Sequence, residues 1–212
     1  MRSKIDVDDY DKFCDHLIVI DTSISLTHVV GTYRLLNHSG LKFDISLYTE
    51  TEFNLKKLKK EKPKILEAGR SCVDKNYRDG RIIRLLWRGL SEYIVQNNID
   101  YIIGCASFQG NNIEEVRERL SYLHHYHLAP KKIRSQPLKQ KSIHYKIISK
   151  KKIKQFEVFK KLPPLIKAYL RVGSWIGKGA IIDKEFNTID VCIILKRDNI
   201  SSKYLNMSKK KN

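Results

Sequence analysis

No apolar run in this 212-residue chain approaches the roughly 18 residues that crossing a bilayer needs; Val191-Cys192-Ile193-Ile194-Leu195 is among the longest. The first residues include Arg2, Lys4, Asp6, Asp8 and Asp9, where a secretory signal would be apolar. These two absences predict a cytoplasmic protein. Cysteine is scarce: Cys14, Cys72, Cys105 and Cys192 lie far apart, with no pair at metal-ligand spacing. Three of them sit in apolar, strand-like surroundings, where a free thiol packs as a small core residue. A disulfide framework is not expected in that compartment. Internal repeats and Gly/Ser linkers are missing, as are a Walker loop, a GxSxG elbow and a Ser/His/Asp order. The length suits a single domain over 1–212.

Acidic residues are in short supply, with 23 Asp and Glu against 41 Lys and Arg, a net charge of +18. Such an excess implies an acidic partner: nucleic acid, an anionic membrane surface or an acidic protein. Much of it is local. Residues 131–161 hold eleven Lys and Arg134 against the single acid Glu157, a basic insertion with a local excess of +11. A tail over 201–212, with Lys209, Lys210 and Lys211, is expected to be disordered. A solvated basic face explains such runs equally well. The aromatics are not interleaved with the lysines as a base-stacking platform requires, so no specific nucleic acid is expected.

What is present is an alternation of short apolar runs. Leu17 to Ile20 reads as a buried strand ending at Asp21-Thr22-Ser23, and Val29 to Leu36 as a second strand rich in β-branched residues. Glu52 to Lys60 reads as a short polar helix and Ile65 to Val73 as a third strand. From Arg81 to Asn97, Ile83, Leu86, Leu90 and Ile94 recur at three and four, one apolar helix stripe. Tyr101 to Phe108 is a buried strand. Asn112 caps a further helix, with Glu115 in capping-box position. After Pro163-Pro164, residues 165–177 read as helix and Asp190 to Leu195 as a final strand. The sum is an α/β protein with a mixed sheet flanked by helices.

Two groups of residues draw attention as chemistry. On a regular strand Glu67 and Arg70 face opposite sides. A β-bulge near Ala68-Gly69 brings them to one side and frees backbone groups for a ligand; from spacing alone, an ordinary pair of edge-facing charges fits equally. Arg81, Arg84 and Arg88 share one helix face, with Arg78 and Gly80 in the turn before it. A helix N-terminus preceded by Arg-x-Gly is an anion site suited to a pantetheine phosphate, or else the arginines solvate the outside of an amphipathic helix. His124, His125 and His127 cluster with no Cys or carboxylate at a suitable spacing, and no metal is expected.

The segments DDYDKFCDHLIV (8–19), VVGTYRLL (29–36), LEAGRSCV with YRDG (66–80) and LLWRGL (85–90) carry a resemblance that spans nearly the whole chain. It continues through IIGCASF (102–108), LSYLHH with AP (120–130), PPLIKAYLRVGSWIGKGAIID (163–183) and FNTIDVCIIL (186–195). The chain resembles the L-ornithine Nα-acyltransferases of ornithine-lipid synthesis and, more distantly, the acyl-homoserine lactone synthases. The resemblance implies a GNAT fold and a 3-hydroxyacyl donor on the phosphopantetheine of acyl carrier protein, with no other cofactor. It also implies L-ornithine as acceptor, giving lyso-ornithine lipid. An Asp-x-x-Asp of the lactone synthases falls on Asp8 and Asp11, their strand arginine on Arg34, and their Glu-x-x-Arg on Glu67 and Arg70. By that correspondence Glu67 is the base, Arg70 orients it or binds the acyl group, Arg34 meets the acceptor's carboxylate, and Asp8 and Asp11 meet its side-chain amine. Arg78, Gly80, Arg81, Arg84 and Arg88 are then left to dock the carrier.

The family's members carry several dozen residues before the aspartate pair, including a helix over the acceptor pocket, whereas Met1 stands almost on Asp8. N-terminal elements are therefore expected to be missing, and an inactive remnant of the fold is the alternative. A lipid product further implies contact of the lysine-rich segment with an anionic inner membrane.

Overall fold

The computed structural model describes residues 6–40 and 45–200. The tail over 201–212 lies outside them. A 3-10 turn (Asp9–Phe13) leads into β1 (Asp15–Ile20) and β2 (Val29–Asn37), followed by two more such turns (His38–Gly40 and Tyr48–Thr51), β3 (Phe53–Asn54) and α1 (Lys56–Lys59). Next come β4 (Ile65–Val73), α2 (Arg81–Gln96), β5 (Tyr101–Gln109) and α3 (Ile113–Tyr126). The chain continues through β6 (Gln136–Pro137), α4 (Gln155–Lys160), α5 (Pro164–Arg171), β7 (Trp175–Ile176), β8 (Ile181–Asp183) and β9 (Thr188–Lys196). Seven strands form one sheet in the order β1-β2-β4-β5-β9-β7, with β8 also on β9, while β3 pairs with β6 apart from it. The β4–β5 pair is parallel and the other pairs are antiparallel.

The period-three-and-four stripe of α2 is buried as Ile82, Leu86, Leu90 and Ile94. Ile82 takes the place expected for Ile83, which is only partly buried against the same core. The apolar run of β9 is explained by its position between β5 and β7/β8: all of its residues except Lys196 are buried. β1 departs from expectation. It is the sheet's edge, and Ile18 and Ile20 face outward while Leu17 and Val19 pack on the core.

Two helices end or begin differently from their sequence reading. Glu52 to Lys60 is not one helix, because Phe53 and Asn54 pair with Pro137 and Gln136, leaving only Lys56–Lys59 helical. Residues 165–177 do not stay helical either. Gly173 adopts φ +100°, its N–H donates to Leu170 O and that of Ser174 to Tyr169 O. That is the Schellman stop, which turns the chain into β7. Asn112 caps α3 by accepting from Glu114 N–H, but Glu115 accepts from the Asn112 side-chain amide, not its backbone.

The lysine-rich segment folds against the body through buried Ile133, Ile153 and Val158. Its lysines point outward around α4, where Phe156 is 71% exposed.

Candidate active site

The site arises where two neighbouring strands stop pairing. β4 and β5 are in register only from Ile65↔Tyr101 to Glu67↔Ile103. Beyond that point β4 follows β2 and β5 follows β9, and a V opens between them. Gly104 stands at the vertex: a Cβ there would lie 2.4 Å from the Ala68 carbonyl oxygen. Only glycine permits that approach.

β4 carries the expected bulge, displaced by a residue or two. Thr32 pairs with Cys72 and Arg34 with Gly69, so a two-residue step on β2 faces a three-residue step on β4. The left-handed residue is Arg70, at φ +48°, not Gly69. A Cβ on Gly69 would meet nothing within 4 Å, so its bare backbone leaves space in the cleft and does not create the kink. The result for the side chains is the expected one, since Glu67 and Arg70 both line a cavity of about 420 Å³ inside the V.

Glu67 is 6% exposed and lies at the base of the V. Its Oε2 accepts from Tyr48 N–H at 2.8 Å. Its Oε1 accepts from Thr49 N–H at 2.6 Å and from the Thr49 hydroxyl at 2.5 Å. Burial raises its pKa above the ordinary glutamate range, and the Thr49 and Tyr48 hydrogen bonds oppose that rise without cancelling it. The carboxylate is thereby both fixed in place and more basic than usual. Two thiols share the cavity wall, Cys14 and Cys105. Burial pushes Cys14 up to about 11 and Cys105 well above its usual value, so neither supplies a thiolate near neutral pH.

Asp8, Asp11, Arg34 and Arg70 form one charged cluster at the cavity's side. Arg34 Nη1 donates to Asp8 Oδ1 at 2.6 Å and to Asp11 Oδ1 at 3.1 Å. Arg70 reaches Asp8 Oδ2 at 3.1 Å and Asp6 Oδ2 at 3.2 Å. Asp8 is therefore shared between the two arginines, and it also accepts from Tyr10 N–H to start the first 3-10 turn. The Arg70 guanidinium lies over the rings of Phe186 and Tyr48, 4.9 and 5.8 Å from their centres. Arg34 and Arg70 line both the main cavity and an adjoining one of about 390 Å³. They form the partition between the two.

The second group lies apart from this cluster, and none of its residues lines the main cavity. Gly80, at φ +90°, precedes α2. Arg81 pairs with Asp79 at 2.6 Å and Arg88 with Glu92 at 3.4 Å, while Arg78 Nε donates to Val73 O. Arg84 is exposed. The histidines are not brought together as ligands, because His125 bonds Ile148 O and His127 bonds the Tyr122 hydroxyl.

Sequence reasoning missed Tyr48 and Thr49, which reach Glu67 across 18 or 19 positions and carry no local signal. It also missed Glu52, Asp183 and Asp190, whose carboxylates gather behind the cavity. Asp190 does carry a signal: it is a lone acid in a central strand that is otherwise apolar from Ile189 to Leu195.

A mixed sheet that splays at a parallel pair, with a buried carboxylate in the fork, defines a GNAT-fold acyltransferase. Residues 1–88 match the acetyltransferase (GNAT) domain family. The chain is 38% identical over 210 residues to an L-ornithine N(alpha)-acyltransferase of Agrobacterium fabrum, covering 97% of this chain and 72% of that protein. It is 33% identical over 206 residues to the enzyme of the same name from Rhodobacter capsulatus, covering 96% of this chain and 79% of that one. Among solved structures it is similar to FeeM, an N-acyl amino acid synthase from uncultured soil microbes. That match is at 12% identity and a TM-score of 0.47, over 90% of this chain and 79% of that one. It is similar also to MesI, a CoA-dependent acyl-homoserine lactone synthase, at 11% identity and 0.45, over 96% and 71%. The chain belongs to the L-ornithine N(alpha)-acyltransferase family and is an acyltransferase.

Proposed function

We propose that the chain moves a 3-hydroxyacyl group from the phosphopantetheine of acyl carrier protein to the α-amine of L-ornithine, giving lyso-ornithine lipid. The observation that carries this reading is Glu67: a buried carboxylate of raised basicity, clamped by three donors at the closed end of a fork between parting strands. The acceptor is taken from the names of the relatives, and the carrier-bound donor from the resemblance.

Attack of a free amine on a thioester needs the amine deprotonated, its partner carbonyl polarised and the two held together. Glu67, through a water, takes the proton as the N–C bond forms. Beyond Glu67, β4 has no ladder partner on its β5 side, and backbone N–H groups there stabilise the oxygen as its charge grows. The C–S bond then breaks, the departing thiolate takes that proton back from Glu67 through the water and leaves as the carrier's thiol, and the amide remains. No covalent enzyme intermediate is required, which suits thiols held protonated by burial.

Arg34 and Arg70 face the carboxylate and hydroxyacyl groups from the partition, while Asp8 and Asp11, expected at the acceptor's side-chain amine, are engaged by those arginines. Arg78, Arg81, Arg84 and Arg88, around the turn at Gly80, meet the acidic carrier and its phosphate at the outer end of β4. The lysines around Phe156 rest on an anionic membrane, each worth about 1 kcal/mol near such a surface.

The test is incubation with 3-hydroxyacyl carrier protein and a panel of amino acids, read by mass spectrometry, for the chain and for Glu67→Gln. We expect N-acylornithine from the former and a loss of about 100-fold or more from the latter, with its melting temperature retained. Near-normal turnover of Glu67→Gln removes the base from the mechanism.

A further inference from the structure

Behind the main cavity, one carboxylate oxygen from each of Glu52, Asp183 and Asp190 lies within 4.8 Å of the others. Asp183 and Asp190 line that cavity. Glu52 is 2% exposed and Asp190 5%; Cys105 neighbours Glu52, and Ser107 and Thr188 neighbour Asp190, yet among the described residues Glu52 Oε2, Asp190 Oδ1 and the Thr188 hydroxyl find no partner in full hydrogen-bond geometry. Buried polar atoms are nearly always paired, and buried charges of one sign are not left together without a compensating cation. Among the described residues no Lys, Arg or His nitrogen lies within 4.0 Å of these three carboxylates. Among the described residues no cation is in contact with the cluster, although Lys141 is near enough to favour the charged form of Glu52.

We infer that Glu52, Asp183 and Asp190, with Thr188, form the pocket for the side-chain ammonium of the acceptor, so that the enzyme selects amino acids carrying a second amine. This rests on the acyl-transfer reading above. A primary ammonium has three N–H donors and no acceptor. Acceptors about 2.8 Å from a tetrahedral nitrogen stand about 4.6 Å apart, a spacing that the cluster accommodates. The pocket also lies where it is needed. Thr49 binds Glu67 on one side, Cys105 Sγ lies 3.9 Å from the Thr49 hydroxyl, and Glu52 is next to Cys105. One amine at the base would leave the other within reach of the carboxylate cluster, of which Asp183, Thr188 and Asp190 line the same cavity as Glu67 and Glu52 lies behind them. Asp183 also accepts from Glu185 and Phe186 N–H at 2.8 and 3.2 Å, which fixes its orientation toward the pocket and sets Phe186 over Arg70. A divalent cation is the competing occupant, and the experiment separates the two.

The full chain is titrated calorimetrically with L-ornithine and with L-norvaline, which has the same carbon skeleton without the terminal amine, and acyl products are measured in parallel. We expect ornithine to bind about 10- to 100-fold more tightly than norvaline, the range set by charge-assisted hydrogen bonds. Glu52→Gln and Asp190→Asn bring that ratio toward one, raising the ornithine KM more than they lower kcat. Asp183→Asn keeps an acceptor for its turn and is only half-buried, so it decides the matter if the other two fail to fold. Equal binding of both amino acids by the parent chain overturns the inference even if both are acylated. An unchanged ratio in the variants does the same. So does a stoichiometric divalent ion in the purified protein whose chelation abolishes the preference. Ornithine bound selectively but never acylated leaves the pocket standing and overturns the acyl-transfer reading instead.

Discussion

Thr49 gives both its backbone N–H and its hydroxyl to a single oxygen of Glu67, at 2.6 and 2.5 Å. Hydrogen bonds to the charged form of an acid favour ionisation, so this one residue restrains the rise that burial imposes on Glu67. Thr49→Val removes the hydroxyl, and the Glu67 pKa climbs further. The acidic limb of the pH–rate profile then moves to higher pH, while Thr49→Ser leaves it near its original position. A limb that stays fixed in Thr49→Val would separate this hydroxyl from the titration of the base.

In the parent protein the same logic fixes the sign of the pH dependence. As the proposed base, Glu67 must be ionised to accept a proton, and its pKa lies above the ordinary glutamate range although Arg34 favours ionisation. The rate of acyl transfer therefore falls on acidification, beginning above the pH at which an unperturbed glutamate (about 4.3) would protonate. The kcat/KM profile from pH 5 to 9 reads this directly.

Gly104→Ala places a methyl group 2.4 Å from the Ala68 carbonyl, and two backbone strands must separate to admit it. Overpacking of this kind costs about 1–3 kcal/mol, a fall of roughly 2–12 °C in melting temperature for a chain of this size. Because the strain falls at the vertex of the fork, turnover drops as well. Calorimetric melting and the acyl-transfer assay, run on the same preparation, test both.

Asp11 accepts from Asp8 N–H at 2.8 Å and from Arg34 at 3.1 Å, and these interactions lower its pKa. Its contribution to stability is complete above the unfolded aspartate value of about 3.9 and is lost as pH falls through the lower native value. Asp11→Asn removes that dependence. Its unfolding free energy changes less steeply between about pH 4 and 2 than that of the parent chain, as denaturant titrations at stepped pH will show.

Burial has raised the pKa of Glu52 to about 7, a rise opposed by a hydrogen bond from Cys105 and by Lys141 and reinforced by Asp190 and Asp183. A bound ammonium favours its ionised form, so ornithine binding near pH 7 releases a fraction of a proton. Calorimetry in buffers of different ionisation enthalpy measures that release, and norvaline gives none.

Much of this architecture is legible in the sequence, and what escapes has a physical cause. The four-residue spacing of Leu86, Leu90 and Ile94 locates α2, and the β-branched runs locate β2, β4 and β9, because each pattern is set by burial of its own element. Glu67 and Arg70 stand out because a glycine interrupts their strand, although the kink sits on Arg70 itself. Local pattern is silent on pairing partners, so Glu52 to Lys60 reads as helix although Phe53 and Asn54 belong with β6. The helical reading of residues 165–177 runs through Gly173, whose left-handed conformation ends α5. The Thr49 clamp and the Glu52–Asp183–Asp190 cluster join segments separated by 18 to 138 positions, and no window along the chain contains them.

The fork between β4 and β5 has one more consequence. By parting, the two strands leave an interior seam of peptide groups that this protein does not stitch to itself. A long arm bearing amides of its own finds there the edge of an unfinished fabric. In the proposed reaction, seating the donor and completing the sheet become a single event, and stability is lent to the enzyme by the molecule it is about to cut.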